Sequence, residues 1–90
     1  MTRAEAAMGL AAYYGVPSGR AEAIRNAVEK GWMAVDHRNW FHPDLPLLWT
    51  DIRESKLPGP LPQVSEQTTP VRRWQFAERL TTAIPSTPRR

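Results

Sequence analysis

Two histidines, His37 and His42, stand five residues apart with Asp36 and Asp44 close by, the nearest approach in this chain to a metal-ligating or acid–base cluster. A zinc site needs several His, Cys or carboxylate ligands converging in one geometry. Histidines within and just after the polar tetrapeptide Asp36-His37-Arg38-Asn39 read more simply as side chains of a surface turn. Ser18 and Ser55 have no base placed to activate them, and the carboxylates are scattered rather than paired. The stretch from Gly15 to Gly19 lacks the lysine and the spacing of a phosphate-binding loop. The chain has no cysteine, which removes disulfides and thiolate metal sites. No catalytic residue, cofactor or metal is expected, and the residue pattern does not point to an enzyme.

What remains is binding chemistry, and it gathers around 10–28, LAAYYGVPSGRAEAIRNAV. Here one alanine-rich amphipathic segment ends, the chain breaks at Gly15-Val16-Pro17-Ser18, and a second amphipathic segment begins. Two short helices joined by a tight turn form a helix-turn-helix layout, whose second helix can enter the DNA major groove. The first helix is predicted to start at Thr2, with Glu5 three residues on completing a capping box, and to bury Ala4, Ala7, Leu10, Ala11 and Tyr14. Gly15 suits its left-handed end and Pro17 stops it. Ser18 or Gly19 is predicted to cap the second helix, which runs to Lys30 and is terminated by Gly31. Its inner face is expected to carry Ala21, Ile24, Ala27 and Val28, and its outer face Glu22, Arg25, Asn26 and Glu29.

Further on, Trp32-Met33-Ala34-Val35 and Trp40-Phe41-His42 flank the polar turn and predict a small β-hairpin. Asp44 and Pro46 look like the cap and first turn of a third helix, with Leu45, Leu48, Trp49 and Ile52 as its inner stripe. The four prolines of 56–70, KLPGPLPQVSEQTTP, predict an extended, semi-rigid segment without helix. Thr69-Pro70 predicts a cap for a last helix over 71–84, leaving 85–90 as a disordered basic tail. Of the four tryptophans, Trp40 and Trp49 are expected in the core. Trp74 falls off the Phe76–Leu80 face and is the candidate partner contact. The fold expected is mainly α with a small β-hairpin: a winged helix-turn-helix domain over 1–55, a Pro-rich segment over 56–70 and a C-terminal helix.

Ninety residues allow one small core. No stretch has the pattern of a signal peptide or membrane span, so a soluble, cytoplasmic protein is expected. Net charge is +3, and it is unevenly placed: 1–45 carry five basic and five acidic side chains, 46–90 seven and four. A basic balance invites a nucleic-acid partner.

Residues 2–54 resemble the small winged-helix domains of phage and mobile-element excisionases and of the mercury-resistance-regulator class. The resemblance rests on Ala6-Ala7 and Leu10, Gly15-Val16-Pro17, Ile24 and Val28, Lys30-Gly31, the wing-like stretch from Asp36 to His42, and Leu47-Leu48-Trp49. It implies a DNA-binding fold with a recognition helix and a wing, serving site-specific recombination or transcription. On that reading double-stranded DNA is the partner. Arg25 and Asn26 face the major groove, where arginine reads guanine and asparagine adenine. Arg20 and the amides after Ser18 hold a phosphate, while His37, Arg38 and Asn39 touch the backbone or minor groove from the wing. Arg72 and Arg73 add charge, and Trp74 serves a homodimer or protein contact. The alternative is a small adaptor or inhibitor that keeps the helical fold and presents its tryptophans and prolines to a protein.

Overall fold

A computed structural model describes residues 1–57 and 62–83. They form a small, mainly helical globule with four α-helices and almost no strand: α1 (Arg3–Tyr13), α2 (Arg20–Glu29), a single turn α3 (Val64–Gln67) and α4 (Arg73–Ala83). Two 3-10 turns, Trp49–Asp51 and Glu54–Lys56, lie between α2 and α3. Residues 58–61 of the Pro-rich segment and the expected tail over 85–90 lie outside the described residues, as does position 84.

The first two helices begin and end where local chemistry directs. Thr2 Oγ1 accepts from the Glu5 N–H and Glu5 Oε1 accepts from the Thr2 N–H, the reciprocal capping box. At the other end Gly15 takes φ 80°, so that Val16 N–H reaches Ala11 O (2.8 Å) and Gly15 N–H reaches Ala12 O (3.1 Å). At the end of α2, Gly31 takes φ 70°, with Trp32 N–H on Ala27 O (2.9 Å) and Gly31 N–H on Val28 O (3.3 Å). Both are Schellman closures, which need a left-handed residue that glycine supplies without steric cost. Ala6, Ala7, Leu10 and Ala11 of α1 meet Ala23 and Ala27 of α2, all fully buried. Small side chains on both faces let the backbones approach closely. Val28, expected inside, is exposed, and so is Ala21; Ala23 takes the inner position.

The predicted hairpin does not form as strands. Asp36 to Trp40 do make a tight turn, with Asn39 N–H on Asp36 O and Asp36 N–H on Trp40 O. The flanking segments then part. Residues 32–34 pair instead with 51–53 in an isolated antiparallel bridge at Met33 and Ile52. His42 adopts a left-handed φ of 56° and Pro43 has no N–H, so the chain turns away before a ladder can grow. It runs to the start of α1, where Pro43 O and Leu45 O accept from the Ala4 and Arg3 N–H groups. Those amides would otherwise be orphaned at the helix start.

The third helix expected from 45 onward is also absent. Pro46 disfavours helical backbone at Leu45, and 45–47 lie extended across Met1 and Thr2, with Leu47 N–H on Met1 O. Leu47 is therefore buried and Leu45 half in solvent, 52% exposed. Only the 3-10 turn at Trp49 follows, its start closed by Leu48 N–H on Asp51 Oδ2.

The C-terminal elements join the same core. Val71 N–H bonds Leu47 O, so α4 begins two residues later than predicted, with Gln75 Oε1 capping the Arg72 N–H. Phe76 stacks on Trp49 (6.3 Å between centroids) and lies over Gly9 of α1. The short α3 interrupts a stretch that proline content marked as helix-free. Of the tryptophans, Trp32 and Trp49 are buried; Trp40, expected in the core, is 64% exposed.

One buried charge holds these layers together. The Arg3 guanidinium donates through Nε to Phe41 O (2.7 Å) and through Nη2 to Ala34 O, and Nη1 pairs with Asp51 at 2.7 Å. It also lies over the Phe41 ring. Arg3 is 6% exposed, and the start of α1 is thereby fixed to both sides of the 34–51 excursion. No helix among the described residues is long and apolar enough to cross a membrane.

Candidate functional site

The residues singled out for binding fall into three groups. The first is on α2 and the turn before it. Arg25 is exposed on the outer face of α2. Asn26 is half-buried and its Nδ2 donates to Ser18 Oγ (3.3 Å), while Ser18 Oγ donates to Val16 O (2.6 Å). Gly19, not Ser18, occupies the cap position, so Ser18 and Asn26 together brace the interhelical turn. Arg20 pairs with Asp44 at 2.8 Å, both side chains largely exposed.

The second group is the turn. Asp36 Oδ1 accepts from the Arg38 N–H (2.8 Å) and the Trp40 N–H (2.9 Å), and its Oδ2 lies 2.6 Å from His42 Nε2. These bonds, the one to His42 foremost, hold the Asp36 carboxyl below the usual aspartate range. His37, Arg38 and Asn39 are exposed at the tip, and Asn39 has a left-handed φ of 64°. The two histidines thus separate in role: His42 is turned inward to Asp36, and His37 outward.

The third group sits at the start of α4. Arg72 is exposed at the cap, and Arg73 pairs with Glu5 of α1. Glu5 is held below its ordinary pKa chiefly by the Thr2 N–H, with the Arg73 charge adding to it. Trp74 is 62% exposed. No hydrogen bond or ion pair among the described residues links Arg72 or Arg73 to α2 or to the turn. Arg20 and Asp44, by contrast, join the start of α2 to the segment following the turn.

A cleft of about 270 Å³ opens beside the turn, lined by Arg3, Asp36, His42, Leu45, Leu48 and Asp51 among others. Its polar groups are already engaged with one another or with backbone carbonyls, so it is the outer side of the Arg3 network. Among the described residues no three His, Asp or Glu side chains gather to hold a metal ion.

Arg3 was not among the sequence-predicted site residues, yet it positions the whole turn. Its signal was present: Arg3, Ala7 and Leu10 share one helical face, so periodicity places the arginine on the inner side of α1. Trp40 departs from its expected core position because alternation about an extended backbone sends only one of two neighbours inward, and Phe41 takes that place.

No protein-family model, curated protein or solved structure matches the chain. Function must be argued from the site itself.

Proposed function

We propose that this protein binds double-stranded DNA in the manner of a winged helix-turn-helix domain. In this reading α2 enters the major groove and the Asp36–Trp40 turn takes the place of the wing. The role proposed is that of a recombination directionality factor or small transcriptional regulator. The observation that carries it is the α1–α2 unit: two helices packed through alanines, each closed at its C-terminal end by a glycine, with Arg25 outward on the second. A rigid helix presenting an arginine suits bidentate reading of guanine, worth about 1–3 kcal/mol of discrimination.

Arg20 contributes at the same helix start. Its exposed pair with Asp44 is of a kind worth only about 0–1 kcal/mol, so a phosphate at the α2 N-terminus can take Asp44's place at little cost. Asn26 is a positioning residue in this scheme, because Ser18 already holds its amide. Arg38 supplies a phosphate contact from the turn. Arg72 and Arg73 extend the charged surface by the start of α1, where Arg73 pairs with Glu5.

A competing reading, a protein-binding adaptor, draws on the exposure of Trp40 and Trp74. Selection from a random-sequence duplex pool separates the two. The wild-type chain should enrich a defined site, and Arg25→Ala should relax the preference at one base position. Failure of the wild-type chain to retain any duplex at low salt would overturn the DNA reading in favour of the adaptor.

A further inference from the structure

Trp40 stands out among the tryptophans because the fold has the means to bury an indole and does so at Trp32 and Trp49. At Trp40 it does the opposite: the ring stands 64% exposed on a turn whose backbone is unusually well tied down. Five residues share four closures: Asp36 Oδ1 to the Arg38 and Trp40 amides, Asn39 N–H to Asp36 O, and Asp36 N–H to Trp40 O. His42 anchors the remaining Asp36 oxygen and sets its ring 5.9 Å from the indole, tilted by 45°. The entropy of ordering the turn is therefore met before any partner arrives.

Cationic and polar side chains accompany the indole at the tip of the turn. Both oxygens of the Asp36 carboxylate are engaged, Oδ1 by the turn's own amides and Oδ2 by His42. Arg38 is an exposed cation at the tip, with the polar groups of exposed His37 and Asn39 beside it. A flat aromatic next to a cation and polar donors is the combination that stacks on a base while holding the adjacent backbone.

We propose that Trp40 stacks on a nucleobase of the bound nucleic acid, either at a kinked duplex step or on an unpaired strand. This rests on the DNA-binding reading above and adds a contact made by the turn rather than by α2.

The test is fluorescence anisotropy with labelled random duplex and random single-stranded pools at two salt concentrations, comparing wild type, Trp40→Ala and Trp40→Phe. Stacking contacts of this kind imply an affinity about 5- to 150-fold weaker for Trp40→Ala. Trp40→Phe should recover much of it, and the salt dependence should stay unchanged, because the indole carries no charge. Weakening on the duplex pool identifies a kinked step, and weakening confined to the single-stranded pool identifies an unpaired base. If the wild-type chain binds duplex and Trp40→Ala matches it on both pools, the stacking role is wrong while the DNA reading stands. A change in salt dependence would also overturn it, since Trp40 would then only be positioning Arg38. If the wild-type chain binds neither pool, both proposals fall together.

Discussion

Replacing Arg3 with methionine removes the polar centre of the fold while keeping much of the aliphatic volume. The Phe41 and Ala34 carbonyls each lose a charged donor, and Asp51 loses its cation. A buried acceptor left unsatisfied costs about 1–3 kcal/mol. Breaking a buried ion pair from one side costs about 3–5 kcal/mol, which is moderated here because Asp51 is 22% exposed and its other oxygen still accepts from Leu48 N–H. These contributions overlap, and a net loss of about 3–5 kcal/mol is expected for Arg3→Met. A domain of this length has roughly 5–13 kcal/mol in total, so the melting temperature should fall by at least about 12 °C. Urea unfolding followed by tryptophan fluorescence measures it, with Arg25→Met on the exposed face of α2 as a control expected within about 0.5 kcal/mol of wild type. Arg3→Lys should fall between, since it keeps the charge without the fork that reaches three acceptors. If Arg3→Met lies within 1 kcal/mol of wild type, roughly the worth of one ordinary hydrogen bond, the buried network does not organise this fold.

Two further perturbations test other joints. A Cβ at Gly9 would sit 2.6 Å from Phe76 Cε2, a buried ring stacked on Trp49. Gly9→Ala should therefore destabilise despite a helix-propensity gain of about 1 kcal/mol, and combining it with Phe76→Leu should cost less than the two changes summed, as calorimetric melting would show. The depressed Asp36 pKa predicts a pH effect. A carboxylate favoured in the folded state adds stability that is fully present above the ordinary aspartate range of about 4 and is lost as pH falls below it. The stability gap between wild type and Asp36→Asn should thus narrow as pH is lowered through and below about 4; a gap that stays constant under acid would show that the charged form is not what holds the turn.

What was legible beforehand is what depends on neighbours in sequence. Thr2 with Glu5, Gly15 after Tyr14 and Gly31 after Lys30 declare the ends of α1 and α2, because caps are built within four or five residues. The turn at Asp36 was legible for the same reason. The segments around it were not, since Met33 chooses Ile52 rather than the residues across the turn. The missing third helix follows from the same kind of long-range competition: the carbonyls of Pro43 and Leu45 are claimed by the first amides of α1. In the candidate site, exposure of Arg25, Arg38 and Trp74 could be read from helical faces and turn position. The pairs Arg20–Asp44 and Arg73–Glu5 could not, because they join residues 24 and 68 positions apart.

Engagement of duplex DNA by the α2 surface and the Asp36–Trp40 turn has a direct electrostatic signature. If Arg20 and Arg38 each neutralise a phosphate while Arg25 reads a base, counterion release gives a log–log salt slope of about −1.8, or an affinity loss of about twelve-fold between 50 and 200 mM salt. Anisotropy on a duplex carrying the enriched site measures this directly. Binding at the lower salt is expected, with a slope near that value and a slope shallower by about 0.9 for Arg38→Ala. Absence of binding at the lower salt, or a slope indifferent to Arg38, would contradict it.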